Sequence, residues 1–298
     1  MGINGIPPKT CSYSCVYCQL GRTTSLQTER RGFCPPDKIR REIERRVDDA
    51  KRTAEAIDYL TFVPDGEPTL DIHLGEAIDL LRSLGKRIAV ISNGSLLWRA
   101  DVRNDLEGAD WVSVKIDAAD ENTWRKVDRP HKALRFDELQ SGVLEFARQF
   151  RGCLVTETML VQGINDDGEQ VERTAAFIGR LRPAMAYLAV PIRPPAETWV
   201  KPPEMDAMIR AYESLARRVD QVEFLMGYEG NEFALSDAVE ESLLGITSVH
   251  PMRKEAVDEL LERAGESWDI VRKMIAQGRL VELDYEGQSF YIRNLPGR

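Results

Sequence analysis

Cys11-Ser12-Tyr13-Ser14-Cys15-Val16-Tyr17-Cys18 puts three thiols within eight residues, close to the start of a 298-residue chain. A cubane iron–sulfur cluster has four irons, and a loop supplying three thiolates leaves one iron open to another ligand. A cluster that only carries electrons normally takes four cysteines. Zinc would need a further ligand, and only Cys34, Cys153 and three histidines remain in the chain. An odd cysteine count and such tight spacing argue against disulfides. Cys34 and Cys153 read as ordinary thiols, and two cysteines cannot build a second cubane, so one cluster is expected.

Outward from this loop, composition sets the limits. The chain is 43% hydrophobic, enough for one large α/β domain or a main domain with an appendage. No apolar run approaches the ~18 residues of a membrane span. No secretory pattern precedes the cysteines, and reduced, metal-ligating thiols then point to the cytoplasm. The net charge of −9 argues against loose binding of nucleic acid over the whole surface. Residues 1–46 nevertheless hold nine Lys/Arg against four Asp/Glu. Interleaved Glu42, Glu44, Asp48 and Asp49 favour a solvated, mixed-charge helix face over a docking patch for RNA or an acidic electron donor.

The middle of the chain alternates short apolar runs with amphipathic ones. Strands are expected at Gly2–Ile6, Tyr59–Val63, Arg87–Ser92, Trp111–Ile116, Leu154–Leu160 and Met185–Val190. Helical faces are formed by Ile39, Ile43, Val47, Ala50 and Ala54, and by Phe136, Leu139, Val143, Phe146 and Phe150. Further helices are expected at about 72–84, 101–106, 171–181 and 205–219, and 118–135 reads as a long connection. Continuous apolar strands alternating with such helices imply a parallel sheet covered on both faces. Six strands suit a partial (β/α)6 barrel over residues 1–230, with chemistry at the C-terminal strand ends, where the cysteine loop also lies.

After Gly230 the pattern changes. Helices at 237–244, 252–264 and 267–277, with Ser267 as N-cap, precede two alternating runs joined across Glu286-Gly287-Gln288. That order describes a small winged-helix module over residues 231–298. From Ile246 to Arg298 there are eight Lys/Arg against nine Asp/Glu, which argues against sequence-specific DNA binding and for contact with substrate or barrel.

Polar residues collect at the expected strand ends. Asp65-Gly66-Glu67 follows the second strand, Ser92-Asn93-Gly94 ends the third, and Lys115 and Asp117 end the fourth. Glu157 and the Gly163–Asn165 turn belong to the fifth. Alternation gives Lys115 and Asp117 the same facing. Lys115 could pair with Asp117 or serve a ligand or substrate. His131, in Arg129-Pro130-His131 of the long connection, could move a proton or be an ordinary exposed histidine.

The CxxxCxxC spacing with Tyr17 before the last cysteine resembles the cluster loop of the radical S-adenosylmethionine (SAM) superfamily. The strings PPKTCSYSCVYCQLGRT and GEPTL strengthen the likeness over about residues 1–230. Within the superfamily the chain resembles the iron–sulfur oxidoreductases related to the synthetase that makes the wyosine base of tRNA. That enzyme needs a second cluster whose cysteines are absent here, so its reaction does not carry over. The resemblance implies a [4Fe–4S] cluster on Cys11, Cys15 and Cys18 and SAM held by Gly66, Glu67, Ser92, Asn93, Asp117 and Glu157. Asp65 stands where many members carry glycine or serine. A 5′-deoxyadenosyl radical, made with one electron from a flavodoxin- or ferredoxin-type donor, would then attack an RNA base or a peptide or protein. Lys115 and His131 are the candidate catalytic side chains. The alternative is an iron–sulfur regulator that binds DNA through the winged helix.

Overall fold

The computed structural model describes residues 1–52, 56–63, 65–225 and 239–294, apart from the side chain of Val249. In chain order the strands of the larger part are β1 (Gly2–Ile3), β2 (Thr10–Cys11), β3 (Ser25–Leu26), β4 (Tyr59–Phe62), β5 (Arg87–Ser92), β6 (Trp111–Lys115), β7 (Cys153–Met159), β8 (Met185–Ala189) and β9 (Val222–Leu225). Its helices are α1 (Pro36–Arg52), α2 (Leu74–Arg82), α3 (Ala100–Leu106), α4 (Glu121–Val127), α5 (Phe136–Gln149), α6 (Gly168–Leu181) and α7 (Met205–Ala216). Seven strands form one parallel sheet in the order β1-β4-β5-β6-β7-β8-β9. This is the α/β architecture of a partial barrel.

Six of these strands are the expected ones, five of them with ends within one residue. β1 is shorter than expected because Asn4 Oδ1 accepts the Ile6 N–H in a local turn, and Pro7 and Pro8 lack amide hydrogens. β9 adds an edge. Its four residues are only half-buried or exposed, so the run lacks the continuous apolar character of the inner strands.

The helices pack by their apolar stripes. On α1, Ile39, Ile43, Val47 and Ala50 are buried at helical spacing, while Ala54 of the expected face lies outside the described residues. On α5 the stripe is Leu139, Gly142, Val143 and Phe146. Both stripes join one cluster with Leu60, Val90, Val112, Val114 and Leu188 of the sheet. The connection 118–135 is not all loop: Asp120 Oδ1 accepts the Thr123 N–H at 3.0 Å and caps α4. The Asp120-to-Thr123 spacing was its signal.

The C-terminal residues contain α8 (Val239–Val249), β10 (Met252–Arg253), α9 (Lys254–Ala264), α10 (Asp269–Ala276), β11 (Leu280–Tyr285) and β12 (Gln288–Arg293). The three strands form an antiparallel sheet, β10-β12-β11. Leu243, Val257, Leu260, Val271, Met274 and Tyr291 belong to a hydrophobic cluster separate from that of the barrel. Two residues close the hairpin, Glu286 and Gly287, both at positive φ as a twist-matched turn requires. α10 starts at Asp269 with Trp268 in the capping position, not Ser267, although Ser267 Oγ accepts the Asp269 N–H at 3.3 Å.

Phe146 is fully buried on α5 and stacks on Phe150 with ring centroids 4.9 Å apart. Phe146→Ala is expected to lower unfolding stability by about 3–5 kcal/mol, read from the shift of the chemical-denaturation midpoint.

Candidate active site

The cysteine loop closes on itself. β2 pairs in parallel with β3, setting Cys11 opposite Leu26, and Cys15 O accepts the Cys18 N–H at 3.1 Å. The loop is also fastened to the segment after α4. Val16 N–H donates to Val127 O at 2.9 Å, Ser14 N–H to Asp128 O at 3.0 Å, and His131 N–H to Ser12 O at 2.9 Å. Val16 and Tyr17 are buried against Val127, Val161 and Val200. The His131 ring serves a local turn, with Nδ1 accepting the Ala133 N–H at 3.2 Å.

The turn after β4 lies backbone to backbone against the loop. Lys9 N–H donates to Asp65 O at 2.7 Å and Glu67 N–H to Thr10 O at 3.1 Å. A Cβ on Gly66 would stand 1.8 Å from the Thr10 carbonyl oxygen, so no side chain fits there. The Glu67 carboxylate is buried and hydrogen-bonded through both oxygens. Oε1 accepts from Thr69 N, Thr69 Oγ1 and Ser92 Oγ at 3.1, 2.6 and 2.7 Å, and Oε2 accepts from Asn93 N at 2.8 Å. Burial pushes its pKa up, and these donors oppose the shift. Asn93 Nδ2 then reaches Ser12 Oγ at 2.9 Å and Cys11 Sγ at 3.5 Å. Gly66, Glu67, Ser92, Asn93 and Cys11 thus form one connected wall.

A second group lies beside Cys15. Lys115 pairs with Glu157, its register partner on β7, at 2.7 Å, and with neither side-chain oxygen of Asp117. Burial works against the ammonium, but Glu157 and Asp117 outweigh it and hold Lys115 protonated. Lys115 Nζ also lies 5.0 Å from the Tyr17 ring centroid. Asp117 Oδ1 accepts the Met159 N–H at 2.7 Å, and Oδ2 accepts a short hydrogen bond from Tyr17 OH. Asn165 Nδ2 donates to Asp117 O at 2.9 Å, which places the Gly163–Asn165 turn here. Asp128, not singled out in the sequence, completes the group: Cys15 Sγ lies 3.3 Å from its Oδ1. Burial and the neighbouring Asp117 raise the Asp128 carboxyl strongly, so the two acids do not both ionise readily. Its only sequence signal was its place immediately before Arg129-Pro130-His131.

A third element escaped the sequence reading altogether. Glu197 is buried in the connection after β8, and its N–H donates to Val16 O at 3.1 Å. It accepts from Arg22 Nε at 2.9 Å and Nη2 at 3.0 Å, and forms a short ion pair with Arg129. Hydrogen bonds from Arg22 and then Arg129 hold its carboxyl below the usual range. No periodicity marks a lone glutamate in a Pro-rich connection.

None of the three loop cysteines is in a disulfide, and all three are half-buried. Burial, then the Glu67 charge, pushes Cys11 up to about 12, and burial, then Asp128, raises Cys15 well above the ordinary thiol value. Such thiols become thiolates only beside added positive charge, which metal ions supply. Among the described residues no three His, Cys, Asp or Glu side chains converge as the ligands of one ion would. A cubane binds each thiolate on a different iron and asks for donors spread along a loop. Cys153 opens β7 at the opposite end of its strand, and Cys34 packs half-buried against the barrel core. The loop therefore fits a cluster with three protein ligands.

Residues 6–178, more than half the chain, match the family model described as the radical SAM superfamily. A UPF0026 protein of Methanocaldococcus jannaschii is 45% identical over 300 residues, covering this whole chain and 93% of that protein. An S-adenosylmethionine-dependent nucleotide dehydratase of Flammeovirga pacifica is 23% identical over 163 residues, 52% of this chain and 54% of the relative. Among solved structures, Streptococcus suis SuiB bound to S-adenosylmethionine superposes with a TM-score of 0.56 at 15% identity, over 82% of this chain and 54% of SuiB. At that identity the likeness is one of fold. No described helix is long and apolar enough to cross a membrane.

Gly66→Ala is expected to push the turn off the cysteine loop and abolish iron uptake, measured as iron and sulfide bound per chain after anaerobic reconstitution. Asp65 gives a pH dependence. Burial, partly relieved by Asn4, raises its carboxyl to about 6 from an ordinary value of 3.8. The folded state therefore binds more protons between those values, and stability falls as pH rises through that window. Asp65→Asn is expected to be more stable than wild type above about pH 6 and equal to it below about pH 4 in thermal-melt series.

Proposed function

We propose, on the premise that this chain belongs to the radical SAM superfamily and is an enzyme of that type, that Cys11, Cys15 and Cys18 hold a [4Fe–4S] cluster beside bound SAM. When bound, the pair supplies one-electron cleavage of the sulfonium, giving methionine and a 5′-deoxyadenosyl radical that takes hydrogen from a substrate. The observation that carries this reading is the three-thiol loop fastened, backbone to backbone, to the strand-end turn of Gly66 and Glu67.

The protein's own part is positional. Glu67 braces the turn, with three donors on Oε1 and one on Oε2. Ser92 and Asn93 extend the brace to Cys11, and Asp117 with Asn165 fixes the strand end beside Cys15. Lys115 and Glu157 form an ion pair next to Tyr17, part of a polar wall for SAM or substrate. The buried valines around Tyr17 pack one side of the cysteine loop into an apolar cluster.

The separate C-terminal hydrophobic cluster supports dividing the chain into a barrel over 1–230 and a module over 231–298. The module's order of helix, strand, two helices and hairpin supports a winged helix. Its nearly balanced charge supports substrate or barrel contact over DNA binding. The substrate class remains an RNA base or a peptide or protein, and a flavodoxin- or ferredoxin-type protein would donate the electron.

Anaerobic reconstitution with iron and sulfide, then dithionite and SAM, is expected to yield 5′-deoxyadenosine by chromatography. Cys15→Ala is expected to give background only. Intact SAM over a fully loaded, reduced cluster would overturn the assignment. Addition of total tRNA or of a peptide library separates the two substrate classes by which one accelerates SAM consumption.

A further inference from the structure

Arg193 lies in the connection after β8 and uses both ends of its guanidinium. Nη1 donates to Gln19 Oε1 at 2.8 Å, and Nη2 lies 2.8 Å from His250 Nε2. Arginine can only donate, so His250 accepts through Nε2 and is neutral in this contact. Gln19 follows Cys18 directly, at the end of the cysteine loop, whereas His250 joins α8 to β10 in the C-terminal module. One side chain therefore spans three segments far apart in sequence.

A further contact falls on the same side of the barrel. Tyr285 OH, at the end of β11, donates to Pro191 O at 2.9 Å, two residues from Arg193. Pro191 and Arg193 both follow β8, so both contacts with the module sit at the C-terminal end of that strand. Among the described residues the barrel and the module keep separate hydrophobic clusters, and these polar contacts join the two. A planar guanidinium loses little rotamer freedom per hydrogen bond and fixes both partners in direction.

We infer that Arg193 is a positioning residue that couples the C-terminal module to the cysteine loop, holding the module over the reactive face. Its bearing on catalysis rests on the function proposed above. The coupling itself belongs to the polypeptide and is reciprocal: whatever loosens the module loosens the loop, and the reverse.

Hydrogen–deuterium exchange on the full chain, before and after anaerobic reconstitution, tests it. His250→Ala is expected to speed exchange in peptides covering Cys11–Gly21, and Gln19→Ala in peptides covering β10 to β12, each on the order of fivefold. Arg193→Lys, which lacks the fork, is expected to do both. His250→Gln keeps an acceptor and is expected to restore the loop toward wild type. Arg272→Ala, within the module but paired locally with Asp269, is expected to leave the loop unchanged. In loaded protein, His250→Ala is expected to alter the paramagnetic resonance line shape of the reduced cluster at unchanged iron content. Loop exchange unchanged in a folded His250→Ala, or a loop loosened equally by Arg272→Ala, overturns the coupling. Failure of the wild type to show a cubane signal overturns the proposed function instead, and the exchange comparison in iron-free protein still decides the coupling.

Discussion

One buried carboxylate holds the site together. Glu67 receives donors from its own turn and from the end of β5, while its N–H and the bare Cα of Gly66 press the same turn against β2. Three chain segments therefore meet at one residue, the turn and β2 backbone to backbone and the end of β5 through the carboxylate. A buried acceptor with four donors is costly to remove, because each donor left unpaired loses about 1–3 kcal/mol. The geometry of Asn93, and through it the surroundings of Cys11, follows from this one anchor.

The charge arrangement around the loop is unfavourable until positive charge arrives. Glu67 stands near Cys11 and Asp128 near Cys15, and both acids raise the thiols they face. Without metal the group favours protonated sulfur and at least one protonated acid in the Asp117–Asp128 pair. Iron bound by these thiols would displace their protons, so that loading would depend on pH and on local proton acceptors. Lys115 is no ready acceptor, because Glu157 and Asp117 keep it charged.

Much of this was legible in the sequence, and the gaps have physical causes. Apolar periodicity marked α1, α5 and the inner strands, because those elements bury a full face. β9 was missed because an edge strand need not be apolar. α4 was missed because its signal is a single capping aspartate inside a polar stretch. Among site residues, the cysteines, Gly66 and Glu67 stood out by spacing and by turn chemistry. Lys115 could be placed at a strand end, but its choice of Glu157 over Asp117 depends on the β6–β7 register, which no local pattern encodes. Asp128 and Glu197 matter through contacts more than a hundred residues away in sequence, with Cys15 and Tyr17 and with Arg22 respectively. Long-range pairing of that kind leaves no trace in a short window.

The Glu197 clamp has a consequence for how the protein is made. Arg22 and the backbone of Val16 are held by a residue that leaves the ribosome long after the cysteines do. Domains fold as units and contacts of large sequence separation close late, so the thiol loop stays loose on the nascent chain. Metal delivered to the emerging segment would meet an unshaped receptacle. Metal loading of the loop would therefore follow closure of the barrel.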